Sequence, residues 1–152
     1  MLQARLATGT FSPSGELDAF ERAVRGQGAV VSFTGLARAL TLDGAQVERL
    51  FLDHHPRLTQ HSLTQIGQAA LARFDAAAAL IVHRCGGVEP GEPIVFAAAA
   101  ARHRRAAFEA VDYMMDRLKT DAIFWKREDG PSGSRWIEPR DDDRTARARW
   151  GN

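Results

Sequence analysis

A single cysteine, Cys85, among 152 residues rules out an internal disulfide and a two-thiol sulfur relay within the chain. Neither sign of charge is in excess. Twenty Lys and Arg stand against nineteen Asp and Glu, a net charge of +1, so no global field draws the chain toward nucleic acid or an anionic membrane, and an anion site has to be local. No run is both apolar and long enough to span a bilayer, and Met1-Leu2-Gln3-Ala4-Arg5 lacks the continuous apolar segment of a secretory signal, so a cytoplasmic protein is expected. No Cys or His pair has the spacing of a zinc site, and the adjacent His54 and His55 would point to opposite faces of a strand. Neither a metal nor a resident cofactor is expected. Repeats, low-complexity tracts and linkers are missing too.

What the chain does have is 45% hydrophobic residues, enough for one core. The expectation is a single domain over residues 1–140, followed by a charged, solvated tail over 141–152. Leu2, Ala4 and Leu6 alternate as a strand, and Ser12-Pro13-Ser14-Gly15 reads as a turn and N-cap. Leu17, Phe20, Ala23 and Val24 then mark a first helix. The apolar run Ala29 to Thr34 reads as a central strand. After an irregular stretch ending in Asp43-Gly44, Val47 to His54 alternates again, which suggests a hairpin. A second helix begins at Pro56 and runs to Phe74. Ala78 to His83 and Ile94 to Ala101 read as neighbouring buried strands, separated by Gly86-Gly87 and Glu89-Pro90-Gly91-Glu92-Pro93 turns. A third and longest helix spans His103 to Lys119, and Ile123 to Ile137 closes in a small hairpin around Gly130-Pro131-Ser132-Gly133. Strands interleaved with three main helices make the fold class α+β, or mixed α/β.

Four clusters carry polar chemistry. Arg38 follows the strand and glycine turn Phe33-Thr34-Gly35, a pattern that by itself is met most often in an ordinary surface arginine. His103-Arg104-Arg105 opens the long helix, where free N–H groups and the dipole favour an anion and disfavour cations. A chain selected only for stability would carry acids there, so an anion pocket is the better reading. Lys119 in the last turn of that helix complements the dipole, but beside Lys126 in a partly dry pocket each ammonium would lower the other's pKa into a useful range. His83-Arg84-Cys85 ends a strand; His83 reads as a satisfied structural histidine and Cys85 as a small core residue.

Taken in order, Gly28 to Gly35 with Arg38, His83-Arg84-Cys85-Gly86, His103-Arg104 with Ala107-Phe108-Glu109-Ala110, Leu118-Lys119 and Phe124-Trp125-Lys126-Arg127-Glu128 resemble the molybdopterin synthase large-subunit family over residues 28–136. The resemblance implies an α/β-hammerhead fold with a mixed antiparallel sheet, and a homodimer carrying one small ubiquitin-like sulfur-carrier subunit on each outer end, a heterotetramer. It implies a sulfurtransferase that moves sulfur from the carrier's C-terminal Gly-Gly thiocarboxylate onto cyclic pyranopterin monophosphate, forming the dithiolene of the molybdenum cofactor. By the same resemblance Lys119 and Lys126 are catalytic, Arg38, His103 and Arg104 bind substrate, Leu36, Ala37, Arg127 and Glu128 flank it, and Arg140 reaches it from the tail. The chain departs from the family pattern at His55 and Arg57 around Pro56, and in the loop Ala39-Leu40-Thr41.

The residue chemistry is compatible: a cyclic phosphate and a thiocarboxylate repel each other, and cations offset that repulsion. His103 and Lys119 lie 16 positions apart on one helix, roughly 24 Å at 1.5 Å per residue, too far for one small ligand to touch both. A composite site is therefore expected, with lysines from one chain and His103 and Arg104 from its dimer mate. The alternative is a non-catalytic module that binds a ubiquitin-like tail or an anionic ligand. A nucleic-acid binder is disfavoured, since no aromatics interleave Arg102 to Arg105 and Asp141-Asp142-Asp143 would repel phosphates.

Overall fold

The computed structural model describes residues 1–151. Strand β1 (Leu2–Ala7) is followed by helix α1 (Pro13–Ala23), β2 (Ala29–Leu36), β3 (Arg49–His54), α2 (Pro56–Arg73), β4 (Ala76–Arg84) and β5 (Gly86–Val88). Then come β6 (Pro93–Ala101), α3 (Arg104–Thr120), β7 (Phe124–Gly130), β8 (Gly133–Ile137) and α4 (Asp141–Ala148). The strands form two four-stranded sheets, ordered β1-β4-β6-β2 and β5-β3-β7-β8. Among the described residues only β1 and β4 pair in parallel; every other ladder there is antiparallel, so the α+β expectation holds.

The first sheet is the larger structural layer. Its centre is built from the alanine-rich strands β4 and β6, whose side chains alternate between two apolar clusters. Ala97 and Ala99 join Leu63, Ile66 and Ala70 of α2 and Ala110, Val111 and Met114 of α3 on one face. Ala98 and Ala100 meet Phe20 and Val24 from the α1 region on the other. The helices begin where the sequence says they should: Ser12 accepts the Gly15 N–H ahead of Pro13, and His55 Nδ1 accepts the Leu58 N–H ahead of Pro56. The family departure at His55 thus supplies a helix cap. Gly67 lets α2 lie close on β1, since a Cβ there would stand 2.4 Å from the Leu2 side chain.

Four expectations are corrected. The run Ala29 to Thr34 is an edge strand, not a central one: Ser32, Phe33 and Thr34 are exposed, and the two alanine strands take the middle. The stretch after it does turn at Asp43-Gly44, with Gly44 at φ +88°, but the returning strand β3 pairs with β5 and β7 in the second sheet, so β2 and β3 form no hairpin. Gly86-Gly87, expected as a turn, is part of the short strand β5 on the edge of the second sheet. Finally, the stretch expected as a solvated tail carries a fourth helix. Three acids in its first turn complement the dipole, and the Arg140 N–H donates to Asp143 Oδ2 at 3.0 Å. Beyond it Trp150 lies edge-on to Phe74 and Tyr113, at 5.6 and 5.5 Å between ring centroids, while its Nε1–H donates to Asp116. None of the described helices is long and apolar enough to cross a membrane.

Candidate active site

Strand β7 runs antiparallel to β3 and β8, so alternate residues divide between two faces. Phe124, Lys126 and Glu128 share one face; Trp125, Arg127 and Asp129 share the other. On the first face Phe124 stacks on the His83 ring, 4.1 Å between centroids and 22° between planes. His83, the penultimate residue of β4, is buried and has Nδ1 2.8 Å from the Arg84 carbonyl oxygen, the geometry of an Nδ1–H donor. Burial drives its pKa down to about 3; Lys126 and Lys119 push in the same direction, against the hydrogen bond to the carbonyl. His83 is thus a neutral imidazole facing a cationic neighbourhood.

Lys126 is half-buried, and its pKa falls to about 8. Burial is the largest cause, repulsion from Lys119 the next, and attraction to Asp143 of α4 opposes both. Lys119 itself is exposed in the last turn of α3. The two lysines that the sequence paired only by resemblance are therefore close enough to repel each other. The sequence missed the roles of Phe124, which packs against the imidazole, and of Asp143, which lay in the presumed tail. The 124–126–128 alternation in a strand was the available signal for Phe124; nothing in the sequence pointed to Asp143.

The loop after β2 reaches the same region. Ala37 is buried with Leu52 and Val88, and Phe124 packs against that cluster; Leu52 is the register partner of Lys126. Leu36 and Arg38 on either side are exposed, and Arg38 has no ion-pair partner among the described residues. Glu128 shares the Lys126 face, with Oε2 buried and without a hydrogen-bond partner, 3.9 Å from Arg135 Nη2. Arg127 lies on the opposite face. There it pairs with Asp129 at 2.7 and 3.1 Å and is flanked by the Phe51 and Trp136 rings at 4.8 and 5.6 Å. Arg140 caps α4, exposed and paired with Asp142 at 3.0 Å.

His103 and Arg104 are not brought to the lysines. They sit at the other end of the 17-residue α3, exposed, lining an open groove of about 400 Å³ with Arg105, Phe108 and Glu109. His103 is the N-cap residue, yet its side chain makes no capping hydrogen bond, and the first turn holds no acid. The free N–H groups, the two adjacent arginines and the His103 imidazole there suit an anion. Within the described residues no group of three or more His, Cys, Asp or Glu is arranged to hold a metal ion.

Comparison with known proteins fits this arrangement. Residues 10–121 match the family described as MoaE protein. The molybdopterin synthase catalytic subunit of Caulobacter vibrioides is 49% identical over 140 residues, covering 92% of this chain and 91% of that protein. The subunit of the same name from Pseudomonas aeruginosa is 44% identical over 146 residues, covering 96% and 97%. Among solved structures, the molybdopterin biosynthesis MoaE protein from Burkholderia ambifaria superposes with a TM-score of 0.84 at 37% identity, covering 100% of this chain and 99% of that one. With its lysine pair, its buried imidazole and its fold all found in one chain that these relatives match almost end to end, the protein belongs to the MoaE family of molybdopterin synthase catalytic subunits.

Proposed function

We propose that this chain is the sulfur-transferring subunit of a cytoplasmic molybdopterin synthase, taking sulfur from the thiocarboxylated Gly-Gly terminus of a small ubiquitin-like carrier and placing it on cyclic pyranopterin monophosphate. The observation that carries this reading is the coupled pair Lys119 and Lys126, with Lys126 poised at a pKa of about 8. Near neutrality such a lysine is mostly the ammonium but exchanges protons readily, which suits it to protonate a leaving oxygen and then be reset. The exposed Lys119 ammonium offsets the charge of an arriving thiocarboxylate. Arg38, exposed and next to Ala37 of the cluster that Phe124 packs against, is available for the substrate's phosphate. The sulfur is delivered by the partner, so the buried Cys85, whose thiol pKa is raised by burial, has no step to perform.

The anion groove at His103 and Arg104 completes the site from a second copy of the chain. One α3 cannot bring both its ends to one small ligand, because its 17 residues extend roughly 25 Å. Edge strand β2 has unpaired backbone groups along one side and exposes Phe33 and Leu36, and α3 exposes Phe108 in the groove. These features suit a homodimer whose halves exchange site residues.

Mixing the chain with a thiocarboxylated carrier and the pterin precursor tests the proposal. Dithiolene product is expected, and a carrier that binds while its sulfur stays in place would leave a docking module instead.

A further inference from the structure

We infer that Arg84 and Glu92 are positioning residues for Arg38: together they fasten the turn from which Arg38 is presented to substrate. The inference rests on the sulfur-transfer function proposed above, but the clamp itself can be read without turnover. It begins with the sequence Glu89-Pro90-Gly91-Glu92, which closes a β-turn through the Glu92 N–H to the Glu89 carbonyl at 3.1 Å. Pro90 pre-sets the first central position, and Gly91 takes the second at φ +87°, where other residues are strained. The Glu92 carboxylate folds back on its own turn and accepts the Glu89 N–H at 2.8 Å.

Its other oxygen faces Arg84. That guanidinium is buried, donates from Nη1 to Glu92 Oε2 at 3.2 Å and from Nη2 to the Gly87 carbonyl at 2.8 Å. Its Nε has no partner among the described residues, and Glu92 is its one carboxylate partner there. Burying an arginine in this way costs desolvation that an apolar side chain at position 84 would avoid, so stability alone does not account for it. What the pair does hold is a geometry. The clamped turn grips Ala37 from both sides: the Ala37 N–H donates to the Glu92 carbonyl at 2.9 Å, and the Gly91 N–H donates to the Ala37 carbonyl at 2.8 Å. Arg38 is the next residue, exposed and without an ion pair, so its starting direction is set by the carbonyl that Gly91 holds.

Glu92→Gln keeps the size and an acceptor while removing the charge that Arg84 meets. Amide exchange on the free chain should speed up at least about tenfold at Ala37 and Gly91, with the amides of β4 and β6 unchanged. In turnover, KM for the pterin precursor should rise roughly three- to tenfold with kcat within about twofold. The same substitution in an Arg38→Ala background should add nothing further to KM, because the effect passes through Arg38. Arg84→Lys, which cannot span both acceptors, should behave like Glu92→Gln. Unchanged exchange at Ala37, or an equal KM rise with and without Arg38, overturns the inference. A wild-type chain without turnover would overturn the proposed function, and the exchange result would still decide the clamp.

Discussion

The two ends of α3 carry similar side chains and opposite physics. At its N-terminus His103, Arg104 and Arg105 stand in solvent around an open groove, at the end of the helix whose dipole repels the two guanidiniums. At its C-terminus Lys119 sits where the dipole favours it, yet it faces a second, half-buried lysine and a buried neutral imidazole. The difference separates two tasks. Exposed guanidiniums beside free N–H groups can hold an anion but keep their protons. A lysine crowded and partly dried can release one. In the proposed function, binding and proton transfer therefore fall to the two ends of a single rigid rod.

Breaking the C-terminal end should have the larger effect. Lys126→Ala removes the group with the tuned pKa, and single-turnover sulfur transfer is expected to fall by about 10²–10³-fold, with carrier binding retained. Retention of more than a tenth of the wild-type rate would show that the tuned lysine is dispensable.

Combining the two ends tests whether they meet across a dimer. Lys119→Ala and His103→Ala chains, each nearly inactive alone, should recover activity when mixed. With random pairing about half the dimers are hybrids, each with one undamaged site of two, so roughly a quarter of wild-type activity should return. Activity no higher than either parent's would place both ends in separate roles.

The smallest effect sharpens the electrostatic side of the contrast. The pH–rate profile should show an inflection near 8 from Lys126. Lys119→Gln removes a like charge, stabilises the Lys126 ammonium and should move that inflection upward, whereas Arg25→Gln, an exposed arginine that the proposed site does not use, should leave it in place. Stability follows the same sign. The folded pKa lies below the ordinary lysine value of 10.5, so the unfolded chain binds the proton more tightly between about 8 and 10.5, and this lysine's cost to the fold diminishes as pH rises through that window. An inflection unmoved by Lys119→Gln would mean that burial alone sets it.

Much of this was legible in the residues because it is local. Helix starts follow from Ser12-Pro13 and His55-Pro56, the paired inner strands from the alanine-rich runs, and the closing hairpin from Gly130-Pro131-Ser132-Gly133. What escaped was long-range. A continuous apolar run does not say which strand lies at an edge, so β2 was placed in the centre. Asp43-Gly44 signals a turn without saying which sheet receives the returning chain. The charged residues of α4 look solvated until their partners are known: Arg149 pairs with Asp112 and Asp116 of α3, and Arg147 with Asp121. For the site, the cations could be named but not sorted. Only the alternation along β7 separates Lys126 and Glu128 from Arg127, which is held by Asp129 and two aromatic rings.

The alanines of β6 have a consequence for the chemistry as well as for the core. With almost no side chain between sheet and helix at Ala97 and Ala99, those two positions act as a thin shim under α3, on which Lys119 rides, while Lys126 belongs to a different sheet. Thickening the shim by two methyl groups, as in Ala99→Val, would shift the rod relative to the second sheet and so change the repulsion between the ammonium groups without touching either one. A side chain far from either lysine would thereby act on the proton affinity of Lys126.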